Sequence, residues 1–439
     1  MTEVLCCIFY VLLFAGLIWK VPFLNVQGSP RFYMPALFLF KVFVGIFIWQ
    51  MYLNEYTKTD ALAYFEESRV LYDLLHHDKA LFLKVVTGME ELPGHAAAQM
   101  PHWNDSFNTF LINDSRTMIR LNAILRIPSF GFYFVHVIIL SFVSFTGLLL
   151  LFKTFRPLIK LSIFLYLALF ILPSVVFWSS SLLKESLLTG GIGLLVYSTQ
   201  CGCRLKFSKR HILALLVGTI ILLLVKIYIL LIIVPLLFTN YWITLSGGRK
   251  PYLKFIISIV FIFLLLIIPR AIKAKYDPIQ TIASKQETFI KMAKGGLYLQ
   301  KEKTFIYVDF HQREKSLDQI SDSTFRLKPD FLYPTFKVNL PDTLYIKGES
   351  DTSVYKMVYM TAPAGSAFPM VRMKNSISGL LKSTVPAFAR VLFLPGLLKI
   401  NRPFVSVAFA ENCFLLLLFV LVLFFFKKPA QHPYFIFCT

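Results

Sequence analysis

Asp60, Tyr64 and Glu67 stand at i, i+4 and i+7 just beyond the second apolar stretch of the chain, so a helix carries all three side chains on one face. A carboxylate in that setting can take the proton from an attacking hydroxyl. The same residues also read as an ordinary capped helix, with Thr59 or Asp60 as its N-cap. A second group is the run FWSSSLLKE from Phe177 to Glu185. Trp178 suits a membrane–water boundary. Lys184 and Glu185 open an apolar helix, where charge is costly unless it is paired, faces a polar cavity or snorkels to the surface. Lys226 with Tyr228, and Glu411 with Asn412, are set inside apolar runs. Lys226 therefore needs a partner, and Glu185 or Glu411 is the acid to look for.

The elements that must position these groups are apolar segments of membrane-spanning length. Of the 439 residues 56% are hydrophobic, above the roughly 45–50% of a soluble domain. Runs of 18 or more can cross a hydrocarbon core of about 30 Å. We place eight in the membrane: Val4–Trp19, Tyr33–Leu53, Phe130–Phe152, Leu161–Trp178, Ser180–Gln200, Ile212–Phe238, Tyr252–Pro269 and Val405–Phe426. The chain then divides into 1–53 (two spans), 54–129 (a loop with interfacial helices), 130–269 (a central bundle), 270–404 (a second polar region) and 405–439 (last span and tail). The expected class is an all-α polytopic membrane protein with two long extracytoplasmic loops, the second carrying a small β-containing insertion. Phe305–Phe310, Thr343–Lys347 and Ser353–Met360 are its strand-like runs, with Pro329, Pro334 and Pro341 as breakers. Asn375–Ile400 is amphipathic and basic, as in helices that lie in the interface.

Short loops rich in Lys and Arg stay cytoplasmic. Lys153, Arg156 and Lys160 mark one such loop, and Arg204, Lys206, Lys209 and Arg210 another. The Ser179–Glu185 turn and the loop from Asn54 to Ser129 then lie outside. One straight span at 212–238 would put Arg249-Lys250 and Lys427-Lys428 outside as well, against the rule. A re-entrant pair of half-helices turning near Lys226 repairs every sign; a tilted helix with Lys226 buried is the alternative.

The net charge of +21 fits cationic loops touching anionic headgroups, and no basic helix interleaved with aromatics points to nucleic acid. The cysteines lie in or near apolar segments and neither CxxC nor HExxH occurs, so no zinc site or disulfide framework is indicated. We expect neither metal nor cofactor. His136 reads as a packing residue, and Gly190, Gly191 and Gly193 as sites of close helix approach.

The stretch from Leu37 through Lys41 to Asp60 and Tyr64, the FWSSSLLKE run, Lys226-Ile227-Tyr228, Ser284-Lys285-Gln286 and Arg402-Pro403 with Glu411-Asn412 together resemble bacterial polytopic proteins of surface-polysaccharide settings. The resemblance covers most of the chain outside roughly Leu297–Met360. The layout is also similar to the GT-C superfamily of membrane glycosyltransferases, which keep an acid in an early extracytoplasmic loop and use polyprenyl-phosphate-linked sugars. Here that acid would follow the second span. The resemblance implies a multi-pass protein of a bacterial inner membrane. It would move a sugar from a polyprenyl-phosphate donor to a glycan or lipid acceptor. Asp60 would be the base with Glu67 in reserve, and Lys184, Lys226 and Arg402 would hold phosphate. Tyr64, Trp178, Glu185, Tyr228 and Glu411 would complete the substrate site. A polysaccharide polymerase or ligase, and a lipid-linked-sugar flippase or other transporter, are the alternative readings.

Overall fold

The computed structural model describes residues 1–55, 59–97, 100, 102–103, 114–159, 161–205, 207–247, 249–272, 278–301, 304–336, 345–348, 354–361, 363, 372–374, 376–393 and 403–424. The chain forms two units: residues 1–262 with 395–439, and residues 263–394.

The first unit is helical. Helices α1 (Thr2–Lys20) and α2 (Tyr33–Glu55) lead to an outer group of α3 (Asp60–His77), α4 (Lys79–Thr87), the one-turn α5 (Gly94–Ala97) and α6 (Asp114–Ser129). Then follow α7 (Tyr133–Phe155), α8 (Ser162–Tyr166), α9 (Pro173–Ser179), α10 (Lys184–Leu205), α11 (Lys209–Leu245), α12 (Pro251–Ile272, of which the part to Ile262 belongs to this unit) and, closing the unit, the last helix (Pro403–Phe424). Among the described residues four helices are long and apolar enough to cross a membrane, or five if the bent pair Ser162–Ile171 and Pro173–Ser179 is one span. The span expected at Leu161–Trp178 is a helix pair bent by 45°. The π-helical stretch Leu167–Ile171 and Pro173 interrupt it, and both loosen the regular backbone ladder. Helix α10 begins at Lys184, four residues later than expected, because Ser180 to Leu183 form the turn.

Close helix crossings surround α10. A side chain at Gly193 would collide with the Gly147 carbonyl of α7, and one at Gly218 would press on the Gly191 carbonyl. Glycine lets these backbones touch.

Helix α11 does not run straight. Lys226 has non-helical backbone angles, φ −147° and ψ 81°. Before it, Gly218 lies against Gly191 and Leu195; at it, Lys226 reaches Glu185; after it, Asn240 Nδ2 donates to Gln200 Oε1 at 3.0 Å. From 226 to 240 is roughly 21 Å of helix, and from 185 to 200 roughly 22 Å. Both ends of that stretch meet α10 in step, so the second arm runs back along the helix that the first arm ascended. The result is a helical hairpin with Lys226 at its apex. That apex stands level with the first turn of α10, not half-way down it.

Basic connections gather at the opposite end of the unit. Lys153 donates to the Phe23 carbonyl and the Phe23 ring meets that of Tyr197, near the end of α10. Lys254 donates to Ser246 where α11 passes into α12.

The second unit holds α13 (Pro278–Lys294), a seven-stranded antiparallel sheet with the short α14 (Arg313–Ser316) in its course, and α15 (Ile377–Phe393). The strands are β1 (Gly296–Lys301), β2 (Thr304–Asp309), β3 (Leu317–Ser321), β4 (Thr324–Leu327), β5 (Leu332–Phe336), β6 (Tyr345–Lys347) and β7 (Val354–Thr361), in the order β3-β4-β7-β1-β2-β5-β6. Leu297, Leu299, Ile306, Val308, Leu317, Leu327 and Tyr333 pack its core. The three expected runs overlap β2, β6 and β7, with residues 343, 344 and 353 outside the described residues. Pro334, expected as a breaker, lies inside β5: it falls beyond the ladder with β2, which pairs only Thr335 and Phe336, and stands opposite Tyr345 of β6. The last helix of the first unit is designated α16.

Candidate functional site

Four chain segments converge at the outer end of the helical unit. Thr59 caps α3 by accepting from the Leu62 N–H at 3.3 Å, which settles the choice between Thr59 and Asp60. Asp60 is then free of cap duty and exposed. Tyr64, one turn on and buried, donates from its hydroxyl to Asp60 Oδ2 at 3.3 Å. Burial first, then the Asp60 charge, push the Tyr64 phenol well above the usual range, so it stays a donor. Lys184 lies 5.0 Å from the Tyr64 ring centre and donates to Asp114 Oδ2 at 2.9 Å and Ser115 Oγ at 3.4 Å at the start of α6. Next to it on α10, Glu185 accepts from Lys226 Nζ at 2.6 Å. The Thr117 hydroxyl of α6 donates to the Leu224 carbonyl at 3.2 Å, pinning the hairpin apex to the outer helices.

The result is a connected, half-buried cluster of Asp60, Tyr64, Asp114, Ser115, Lys184, Glu185 and Lys226. Of the two acids expected for Lys226, Glu185 is the partner. Glu411 is elsewhere: its carboxylate accepts from the Ser174 N–H at 2.8 Å and from the Ser174 hydroxyl, tying α16 to α9. Trp178 and Tyr228 are exposed. Arg402, Ser284 and Lys285 lie outside the residues whose side chains are described.

Glu67 shares the face of Asp60 and Tyr64 but has another task. Its Oε1 accepts from the His102 N–H at 3.1 Å and meets His102 Nδ1 at 2.6 Å, while Oε2 accepts from the Trp103 N–H at 3.2 Å. Both oxygens are engaged and the residue is buried, so it braces the 102–103 turn and has no face left for a substrate hydroxyl. Arg116 and Arg120 stack on Trp103 from the α6 side at 4.9 and 5.1 Å. Burial pushes the Arg120 guanidinium down to about 10.

The turn that presents Lys184 and Glu185 is held from behind. Buried Lys41 of α2 donates to the Ser179 and Ser180 hydroxyls. Ser144 and Ser141 of α7 donate to the Ser179 and Ser180 carbonyls, at 2.5 and 2.9 Å. Ser186 closes the turn on the Ser181 carbonyl at 2.5 Å. His136 is a packing residue as expected, lodged between Ser129 and Asn122 at 2.7 Å on each side.

Sequence reasoning passed over Asp114 and Ser115. The available signal was the reverse of the one used: a lysine opening an apolar helix needs an acid, and its own neighbour Glu185 was already claimed by Lys226. Among the described residues no group of three or more His, Cys, Asp or Glu side chains is placed to hold a metal. Chemically, the cluster offers one exposed carboxylate beside two lysines whose present partners an oxyanion could displace. No family model, no curated protein and no solved structure matches the chain.

Proposed function

We propose that the chain is a membrane glycosyltransferase that moves a sugar from a polyprenyl-phosphate donor to a glycan or lipid acceptor on the outer side of a bacterial inner membrane. The observation that carries this reading is the division of labour among the acids. Among the described residues, Asp114 and Glu185 are each ion-paired to a lysine, whereas Asp60 accepts only from Tyr64 and faces solvent. Asp60 takes the proton from the acceptor hydroxyl, and the oxygen attacks the anomeric carbon. The bond to polyprenyl phosphate breaks with its electron pair leaving on the phosphate. Lys184 and Lys226 exchange their carboxylates for the phosphate oxygens and carry the growing charge. Glu67, with both oxygens occupied, has no part in the proton transfer.

A transporter of lipid-linked sugars is the second reading, favoured by one observation: the Lys226–Glu185 pair sits at a break in an apolar helix, a place where transport proteins form sites. Purified protein in proteoliposomes, supplied with a polyprenyl-phosphate sugar and an acceptor, separates the two. Asp60→Asn lowers transfer by about 10²–10⁴-fold, the usual worth of a general base, with donor binding retained, while Lys226→Met weakens donor binding. If transfer survives Asp60→Asn at normal protein levels, the catalytic assignment fails. If Asp60→Asn is silent and Lys226→Met abolishes lipid movement, the transporter reading stands.

A further inference from the structure

Between Asp351 and Glu411 the chain holds seven lysines and arginines and no acid. Helix α15 lies within that stretch, and its start is firmly fixed. Ser376 caps it, the hydroxyl accepting from the Gly379 N–H at 3.0 Å, as a serine before the first turn commonly does. Just before the cap, the Met373 N–H donates to Gln286 Oε1 of α13 at 2.7 Å. From there the helix turns an apolar side outward. Ile377, Leu381, Val385 and Phe388 stand at i, i+4, i+8 and i+11, which is one face of a helix. They are exposed, from 40% at Ile377 to 73% at Val385. Lys382, Ser383 and Arg390 fall roughly 100–200° round the helix from the midline of that stripe.

Four large apolar side chains in one exposed row call for a cover, and two observations say which. The first is charge. Arg372 reaches Glu287 at 3.2 Å, whereas Lys374 and Lys382 are exposed in a stretch that contains no acid, so the segment attracts an anionic surface and repels a basic one. The second is connection. Residues 394–402, nine in number, join α15 to the apolar run expected to enter the bilayer at Val405, and such a link spans at most roughly 35 Å. The helix is therefore held near a membrane surface. Anionic headgroups over an apolar interior match the cations and the stripe together. A soluble polyanion would answer the charge and leave the stripe bare. A second copy of the chain would cover the stripe and bring its own cations against these.

We propose that α15 lies flat in the surface of an anionic bilayer, with Ile377, Leu381, Val385 and Phe388 among the acyl chains and Lys374 and Lys382 at the lipid phosphates. Long lysine stems let the ammonium groups reach the headgroup level while the helix body sits lower. This contact stands or falls independently of sugar transfer.

The experiment uses the full-length protein in nanodiscs of phosphatidylcholine, with and without phosphatidylglycerol. The native cysteines are replaced by alanine, and an environment-sensitive fluorophore is attached at Val385→Cys on the stripe or at Ser383→Cys on the other side. In anionic discs the probe at 385 should be quenched by a nitroxide carried high on the acyl chain and shielded from aqueous iodide, and the probe at 383 should show the reverse. Leu381→Ser weakens the apolar hold and makes lipid charge decisive. In that background, at low salt, nitroxide quenching at 385 should persist in anionic discs and drop in neutral ones. Adding Lys374→Gln and Lys382→Gln should remove the difference, at roughly fivefold in surface occupancy per lysine. The proposal is overturned if iodide reaches 385 as readily as 383 in both lipids, or if 385 is shielded from iodide and nitroxide alike, the mark of a protein cover. Stronger quenching from the bilayer centre than from the shallow nitroxide would mean a helix that dips or crosses, and would overturn it too. Equal quenching in anionic and neutral discs in the Leu381→Ser background would overturn the anionic surface.

Discussion

Lys184 and Lys226 each find a carboxylate from a distant part of the chain, and the two pairs differ in how readily a sequence shows them. Lys226 inside an apolar run demands an acid, and Glu185 was one of two in reach, so that pair was legible. The Lys184–Asp114 pair was not: Asp114 lies among polar residues where an aspartate raises no question, and only folding of α6 over α10 brings it near. Lys226–Glu185 is part-buried, with side chains 20% and 30% exposed, so its coupling should be about 1 kcal/mol. A double-mutant cycle of Lys226→Met and Glu185→Gln, read by thermal unfolding, is expected to show a coupling of that size. Lys291 gives a pH signature in the other unit. Its folded pKa near 8 lies below the ordinary 10.5, so below pH 8 it is charged whether folded or unfolded and folding bears the whole desolvation cost. Between about 8 and 10.5 the folded state loses its proton first, and stability rises through that window. The melting temperature of the sheet unit should climb over this range, and Lys291→Met should raise it at pH 7 and flatten the climb.

At the scale of elements, hydrophobic length located the helices and left their shapes open. Apolar composition is the same for a straight helix, a bent pair and a hairpin. What told them apart was charge: the basic residues after α11 had to return to the side of those before it. The bend at α8–α9 carried no such constraint, and Pro173 alone did not fix it. In the sheet unit β2, β6 and β7 were readable from β-branched and aromatic residues, while β1 and β3, with Lys, Gln, Asp and Ser among their residues, and the four-residue β4 gave no comparable run. The hairpin yields a direct prediction. Cysteines at Ser208 and Ser246, which flank α11, should both react with a membrane-impermeant thiol reagent from the cytoplasmic side only. Labelling from opposite sides would restore the single tilted span.

For the molecule as a whole, the sequence divided the chain at 270 and 404, and the units part at 262 and 395. The interior difference arises because α12 continues past the last residues that pack in the helical unit, and a contact boundary need not coincide with a polarity boundary. The helices α3, α4 and α6 form a folded layer: Tyr64, Phe65, Met118 and Ile119, with Trp103, share a core with Tyr133 and Val137 of α7 and with Leu182. Sidedness follows from charge. Cysteine substituted at Ser106 and at Ser323 should be labelled from the same, extracytoplasmic side, because only then do all the short basic loops remain inside; labelling from opposite faces would end that topology.

The turn at Lys226 also bears on how the protein is assembled. A hairpin whose two arms pack on the same helix from the same entry point adds an even number of passages, so it leaves the parity of the chain unchanged. At its apex the Lys226 ammonium is met by Glu185.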